Sequence, residues 1–112
     1  MNLSEVRDVL NAEVLTGEDL LDAEVHSACG SDLMSDVLAY VHNQSLLLTG
    51  LVSPQVIRTA EMMDMCCVIF VRGKRPDDSI LQLALDRGLA VLATDMRMYQ
   101  ACGLLYSAGL HE

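Results

Sequence analysis

The 112 residues carry 16 acidic against 7 basic side chains, a formal charge of −9, with 52% hydrophobic residues and a mean hydropathy of +0.32. That balance excludes nucleic acid and anionic membrane as principal partners, because both are bound by clustered Lys and Arg that displace counterions. A chain this short supports one core, so residues 1–112 are read as one domain. Its apolar excess predicts a homodimer, and the absence of any signal peptide or run near the roughly 18 apolar residues of a membrane span predicts a cytoplasmic protein.

In chain order, Leu3, Val6, Val9 and Leu10 share one helical face, with Asn2 and Glu5 spaced as a capping pair. Glu13 to Thr16 and Val25 to Cys29 read as short strands around the polar turn Gly17-Glu18-Asp19. Asp32 is placed to cap a helix carrying Met34, Val37, Leu38 and Val41. From Leu46 onward the text becomes regular. Leu46-Leu47-Leu48, Val68-Ile69-Phe70-Val71 and Ala90-Val91-Leu92-Ala93 are continuous apolar runs, and Leu47, Ile69 and Val91 stand 22 residues apart. Unbroken hydrophobicity marks strands covered on both faces, and intervening helical patterns make the crossovers of a parallel sheet. Ser53-Pro54 suits a helix start, Asp77 is placed to cap Ile80 to Arg87 before Gly88, and Thr94 or Asp95 is placed to cap a last helix that stops near Gly109. On that helix Tyr99, Cys102 and Tyr106 share a face. The expected fold is α/β: three layers around a mostly parallel central sheet built from consecutive strand–helix units.

No nucleophile elbow, phosphate loop, dinucleotide-binding glycine pattern or zinc-protease motif is present, so no enzymatic activity, catalytic residue, metal or cofactor is expected. His26, His42 and His111 lie far apart; His26 and Cys29 have ligand spacing, but on a strand they point to opposite faces. Cys29, Cys66, Cys67 and Cys102 lack C-x-x-C spacing and read as reduced thiols packed as small hydrophobes, with Cys66-Cys67 opening a strand. Met62, Met63 and Met65 cluster beside it: one at least belongs to the core, and Met62 suits a partner surface.

The informative feature is positional. Ligands of open parallel sheets bind beyond the strand carboxyl ends, where helix N-termini favour anions. Here those loops are 50–53, 72–77 and 94–97, and they hold Arg72, Lys74, Arg75 and Arg97, four of the seven basic residues. With Ser31, Asp32, Ser53, Gly73 and Thr94 they form a candidate ligand-binding set for an anionic metabolite or nucleotide. The competing reading is that these are solvated loop charges on a ligand-free interaction module that docks on a partner enzyme or on itself.

Val71-Arg72-Gly73-Lys74-Arg75-Pro76-Asp77 resembles the second half of the DRTGG domain pattern, a strand followed by a glycine-containing turn and a Pro that opens a helix. Asn11-Ala12-Glu13-Val14-Leu15-Thr16-Gly17, Gly30-Ser31-Asp32-Leu33-Met34 and Leu48-Thr49-Gly50 resemble free-standing DRTGG-domain proteins of bacteria and archaea. Two departures are visible: about Val52-Ser53-Pro54 stands where the family has Asp-Arg-Thr, and the twin glycine is reduced to Arg72-Gly73. The resemblance implies a regulatory accessory domain, of the kind found beside CBS modules and in phosphotransacetylases, with a fold similar to the N-terminal domain of HPr kinase. It implies no reaction or substrate.

Overall fold

The computed structural model describes residues 1–41 and 45–111; His42 lies outside the described residues. The elements run α1 (Leu3–Leu10), β1 (Glu13–Thr16), a 3-10 turn (Glu18–Leu20), β2 (Ala28–Gly30), α2 (Met34–Tyr40), β3 (Leu46–Thr49), α3 (Pro54–Met62), β4 (Cys67–Phe70), α4 (Asp78–Asp86), β5 (Ala90–Ala93) and α5 (Met98–Ser107). One five-stranded sheet has the order β1-β5-β4-β3-β2, parallel throughout except for β1, which runs antiparallel to β5 with an irregularity between Val14 and Thr16.

The layers follow from this order. From β2 to β5 the chain steps one strand at a time in a single direction, and crossovers of constant hand then place α2, α3 and α4 on the same face. Alternation along the strands divides the core accordingly. Leu47, Val68, Phe70 and Val91 meet Met34, Val37, Val56, Ile57, Ala60, Ile80 and Ala84 on that face. Leu46, Leu48, Cys67, Ile69 and Leu92 meet Leu3, Val6, Leu10, Ala101 and Leu105 of α1 and α5 on the other. Every residue of β3, β4 and β5 is buried, as their continuous apolar runs require.

Local signals act largely as read. Asn2 and Glu5 close a reciprocal capping box on α1, Ser53 accepts from Gln55 N–H ahead of Pro54, and Asp77 accepts from Ile80 N–H. Four readings are corrected. The second strand is Ala28–Gly30, not Val25 to Cys29, because Val25 is drawn into the core ahead of the ladder. Asp32 does not cap α2: Leu33 occupies the cap position without a side-chain bond, and the Asp32 carboxylate is engaged elsewhere. Neither Thr94 nor Asp95 caps α5, which begins after Arg97, since the Thr94 hydroxyl instead donates to Leu10 C=O at 2.8 Å. Cys66 precedes β4 and so escapes its alternation, packing against the same core face as Cys67. Of the methionines, Met65 is buried and Met62 is exposed.

Candidate functional site

The carboxyl ends of β2, β3, β4 and β5 form a rim whose centre is Asp32. The chain turns after Gly30 because Ser31 closes on itself locally, its Oγ accepting from Leu33 N–H at 3.1 Å. This aims Asp32 across β3, where Oδ1 accepts from Gly50 N–H at 2.7 Å and from Thr49 Oγ1–H at 3.1 Å. Its other oxygen, Oδ2, accepts from Arg72 Nη2 at 3.4 Å. One carboxylate thus ties together the loops that follow three adjacent strands.

Arg72 reaches that position through an unusual turn. Both Arg72 and Gly73 are left-handed, with φ of 61° and 71°, a conformation that disfavours any residue with a Cβ. Backbone bonds from Arg72 N–H to Met96 C=O at 2.7 Å and from Gly73 N–H to Thr94 C=O at 3.0 Å hold the turn to the loop after β5. The Arg72 guanidinium lies over Gly50 where a side chain would begin, so the missing Cβ there makes room for it.

The other predicted residues fall around this centre with differing roles. Arg75 faces Glu13 at 3.5 Å and Asp95 at 3.8 Å. Among the described residues Lys74 and Arg97 form no ion pair. Ser53 is spent on the α3 cap, and buried Thr94 accepts from Met96 N–H while donating to Leu10 C=O. The rim is therefore not uniformly positive: Arg72 and Arg75 already have carboxylate partners. Thr49, Gly50 and Glu13 lie outside the nine predicted residues, although Gly50 opens one of the predicted loops; the signal available was the Leu48-Thr49-Gly50 segment, a polar residue and a glycine ending an apolar strand.

A second concavity was not foreseen. A cleft of about 280 Å³ opens on the α1/α5 face beside edge strand β2, between Ala28, Gly30 and Leu48 of the sheet and Cys102, Leu105 and Tyr106 of α5, closed by Leu110 and His111. Along its sheet side the place where a Gly30 side chain would begin is taken by Cys102 Sγ, with Met98 Sδ close by, so α5 sits directly on that glycine. None of the nine predicted site residues lines it. Burial holds the Cys102 thiol above its ordinary pKa, so it is a poor nucleophile there. His26 Nδ1 lies 3.2 Å from Ser45 Oγ. Among the described residues no group of three His, Cys, Asp or Glu side chains is placed to hold a metal, and no helix is long and apolar enough to cross a membrane.

Comparison with known proteins gives a family match and a structural neighbour. The DRTGG domain family model matches residues 5–108. The regulatory region of Clostridium perfringens pyrophosphatase, comprising CBS and DRTGG domains in complex with the activator diadenosine tetraphosphate, superposes with a TM-score of 0.73 at 16% identity, over 93% of this chain and 45% of that one. The likeness therefore spans less than half of the larger protein. No curated protein matches.

Proposed function

The chain belongs to the DRTGG domain family, and from that premise we propose that it is a non-catalytic regulatory module that senses an anionic metabolite or nucleotide at the strand-end rim. The observation that carries this reading is the half-exposed Arg72–Asp32 pair, at the meeting of three loops and held by a left-handed turn. An incoming phosphate competes with Asp32 for the Arg72 guanidinium, whose fork binds phosphate as readily as carboxylate and which a 3.4 Å contact now holds. Lys74, two residues on, and Arg97, next to the Met96 whose C=O accepts from Arg72 N–H, add positive charge to the same loops, and Arg75 exchanges Glu13 and Asp95 for the ligand. Release of Arg72 loosens Asp32, which anchors the β2–α2 loop, so occupancy is read out at α2. The hydroxyls of Ser31, Ser53 and Thr94 are committed to backbone partners, and among the described residues none is hydrogen-bonded to a His, Asp, Glu or Lys side chain, which favours binding over catalysis. The pyrophosphatase region shares this fold and carries a dinucleotide activator, which supports the same kind of role here.

Thermal denaturation with nucleotides and phosphorylated metabolites tests the reading. A ligand at a hundredfold excess over Kd adds about 2.7 kcal/mol, several degrees in Tm for a domain of this size. Arg72→Ala and Arg75→Ala each diminish the shift, whereas Arg7→Ala, on α1 and paired with Asp8, leaves it intact. Absence of any stabilising anion, or equal sensitivity to Arg7→Ala, removes the sensing role.

A second reading, an interaction module that forms a homodimer and docks on a partner enzyme, is favoured by one observation. Tyr40, Met62 and Leu85, near the carboxyl ends of the neighbouring helices α2, α3 and α4, are 78%, 71% and 58% exposed. Large apolar side chains aligned across three helices mark an association surface. Light scattering on dilution tests it: Tyr40→Glu with Met62→Glu yields a monomer from a dimeric parent, and a parent already monomeric at micromolar concentration removes the homodimer.

A further inference from the structure

The cleft beside β2 combines apolar walls with two backbone groups, Ala28 C=O and Gly30 N–H, that meet no partner among the described residues. In the β2–β3 ladder, Leu46 N–H donates to Ser27 C=O at 3.3 Å and Ser31 N–H to Leu48 C=O at 3.0 Å. That parity turns the peptide groups of Ala28 and Gly30 away from β3, toward the open edge of the sheet. Ala28 N–H is taken by His111 C=O at 3.2 Å, where the chain makes a single parallel bridge to Ser27. Ala28 C=O and Gly30 N–H follow directly along the same edge, and among the described residues no partner meets either. An acceptor and a donor flanking one strand residue are spaced to pair with a molecule that presents a donor beside an acceptor on one planar edge.

The surrounding side chains suit such a plane. The Tyr106 ring lies against the His111 ring at a centroid separation of 4.3 Å and a tilt of 32°, at the end of the cleft. Leu105 and Cys102 supply an apolar wall, and a volume of about 280 Å³ admits one bicyclic ring rather than an extended ligand. We propose that the cleft between β2 and α5 binds an adenine-type base, its exocyclic amine donating to Ala28 C=O and its adjacent ring nitrogen accepting from Gly30 N–H. The site shares no residue with the rim and stands independently of the reading given for it.

The test follows backbone amide resonances of the isotopically labelled chain during titration with adenosine, which carries no phosphate. Gly30 and its neighbours shift and saturate. N6,N6-Dimethyladenosine, which lacks the amine protons, binds about tenfold more weakly. Tyr106→Ala, a substitution of a largely exposed side chain that leaves the fold intact, weakens adenosine about three- to tenfold. Arg72→Ala changes nothing. A Gly30 amide that stays put at saturating adenosine, equal binding of the dimethyl compound, or indifference to Tyr106→Ala overturns the proposal. Tripolyphosphate, which has no base, probes the rim alone, so loss of its binding with adenosine binding retained removes only the rim reading, and the reverse removes only the cleft.

Discussion

Replacing Arg72 by glycine and by alanine separates two roles that one residue combines. In the native turn Arg72 is left-handed at φ 61°, which costs a residue with a Cβ about 1–2 kcal/mol. Its guanidinium returns an ion pair with Asp32 at 3.4 Å, but both side chains are near half exposed, and pairs of that kind contribute about 0–1 kcal/mol. Arg72→Ala keeps the backbone strain and loses the pair, so it destabilises by up to about 1 kcal/mol. Arg72→Gly loses the same pair and relieves the strain, offset by roughly 0.5–1 kcal/mol for the greater freedom of glycine in the unfolded chain. The pair cancels between the two variants, leaving glycine ahead by about 0.5–1 kcal/mol, or roughly 2–6 °C in Tm. Chemical denaturation at constant m-value and calorimetry measure this ordering. An alanine variant that melts at or above the glycine variant refutes the reasoning, since the turn would then carry no left-handed cost.

Gly50→Ala pushes the Arg72 guanidinium off Asp32 at its flexible end. It therefore lowers stability by under about 1 kcal/mol and diminishes the ligand-induced Tm shift by no more than Arg72→Ala does, seen by the same thermal assay. Burial raises the thiol pKa of Cys66 and raises that of fully buried Cys67 further. Native protein thus leaves Cys67 unreacted with a thiol reagent at pH 8 on the time scale that modifies exposed thiols, and all four cysteines react in denaturant. Ile80 N–H and the Ser79 hydroxyl hold the Asp77 carboxyl below its ordinary value of 3.8. Because the folded pKa is the lower one, the stability it contributes is fully present above that ordinary value and is lost as the pH falls through the folded pKa. The advantage of wild type over Asp77→Asn, in denaturation midpoints across that range, shrinks with acidification; an advantage that grows contradicts the capping geometry.

Much of the architecture was legible because it rests on patterns with one physical cause each. Three apolar runs at regular spacing have no soluble solution other than buried parallel strands, and they occupy β3, β4 and β5 within a residue. The edges were harder. A three-residue strand such as Ala28–Gly30 carries too little side chain to advertise itself, and its boundary is set by the ladder to β3 rather than by composition. The cleft was invisible for a related reason: it depends on how α5 packs over this short strand, with Cys102 Sγ seated where a Gly30 side chain would begin, and no local pattern records that packing. The rim was half visible. Charge counting along the loops located Arg72, Lys74, Arg75 and Arg97, but Glu13, Asp32 and Asp95 come to Arg72 and Arg75 from sequence positions remote from those they meet.

The misreading of Asp32 is instructive about the proposed response. By sequence it stands just ahead of α2 and has the chemistry of a cap, yet Leu33 takes the cap position and α2 begins at Met34 without a side-chain cap. A carboxylate has few oxygens to share, and here Gly50 N–H, Thr49 Oγ1 and Arg72 claim both. Capping and tethering thus compete for one side chain. The tether prevails because a charge-assisted bond to a backbone N–H at 2.7 Å, reinforced by Arg72, outweighs the gain from ending a helix of seven residues. Of the three claims the Arg72 pair is the weakest, since both partners are near half exposed and 3.4 Å apart. A phosphate that captures Arg72 removes one of the three claims on Asp32 and shifts the balance toward the cap, altering the start of α2 and with it the helix that presents Leu38 and Tyr40 to solvent. In the proposed response the element that would move is a loop of three residues, Ser31 to Leu33, and a ligand would bias it by competing for one guanidinium.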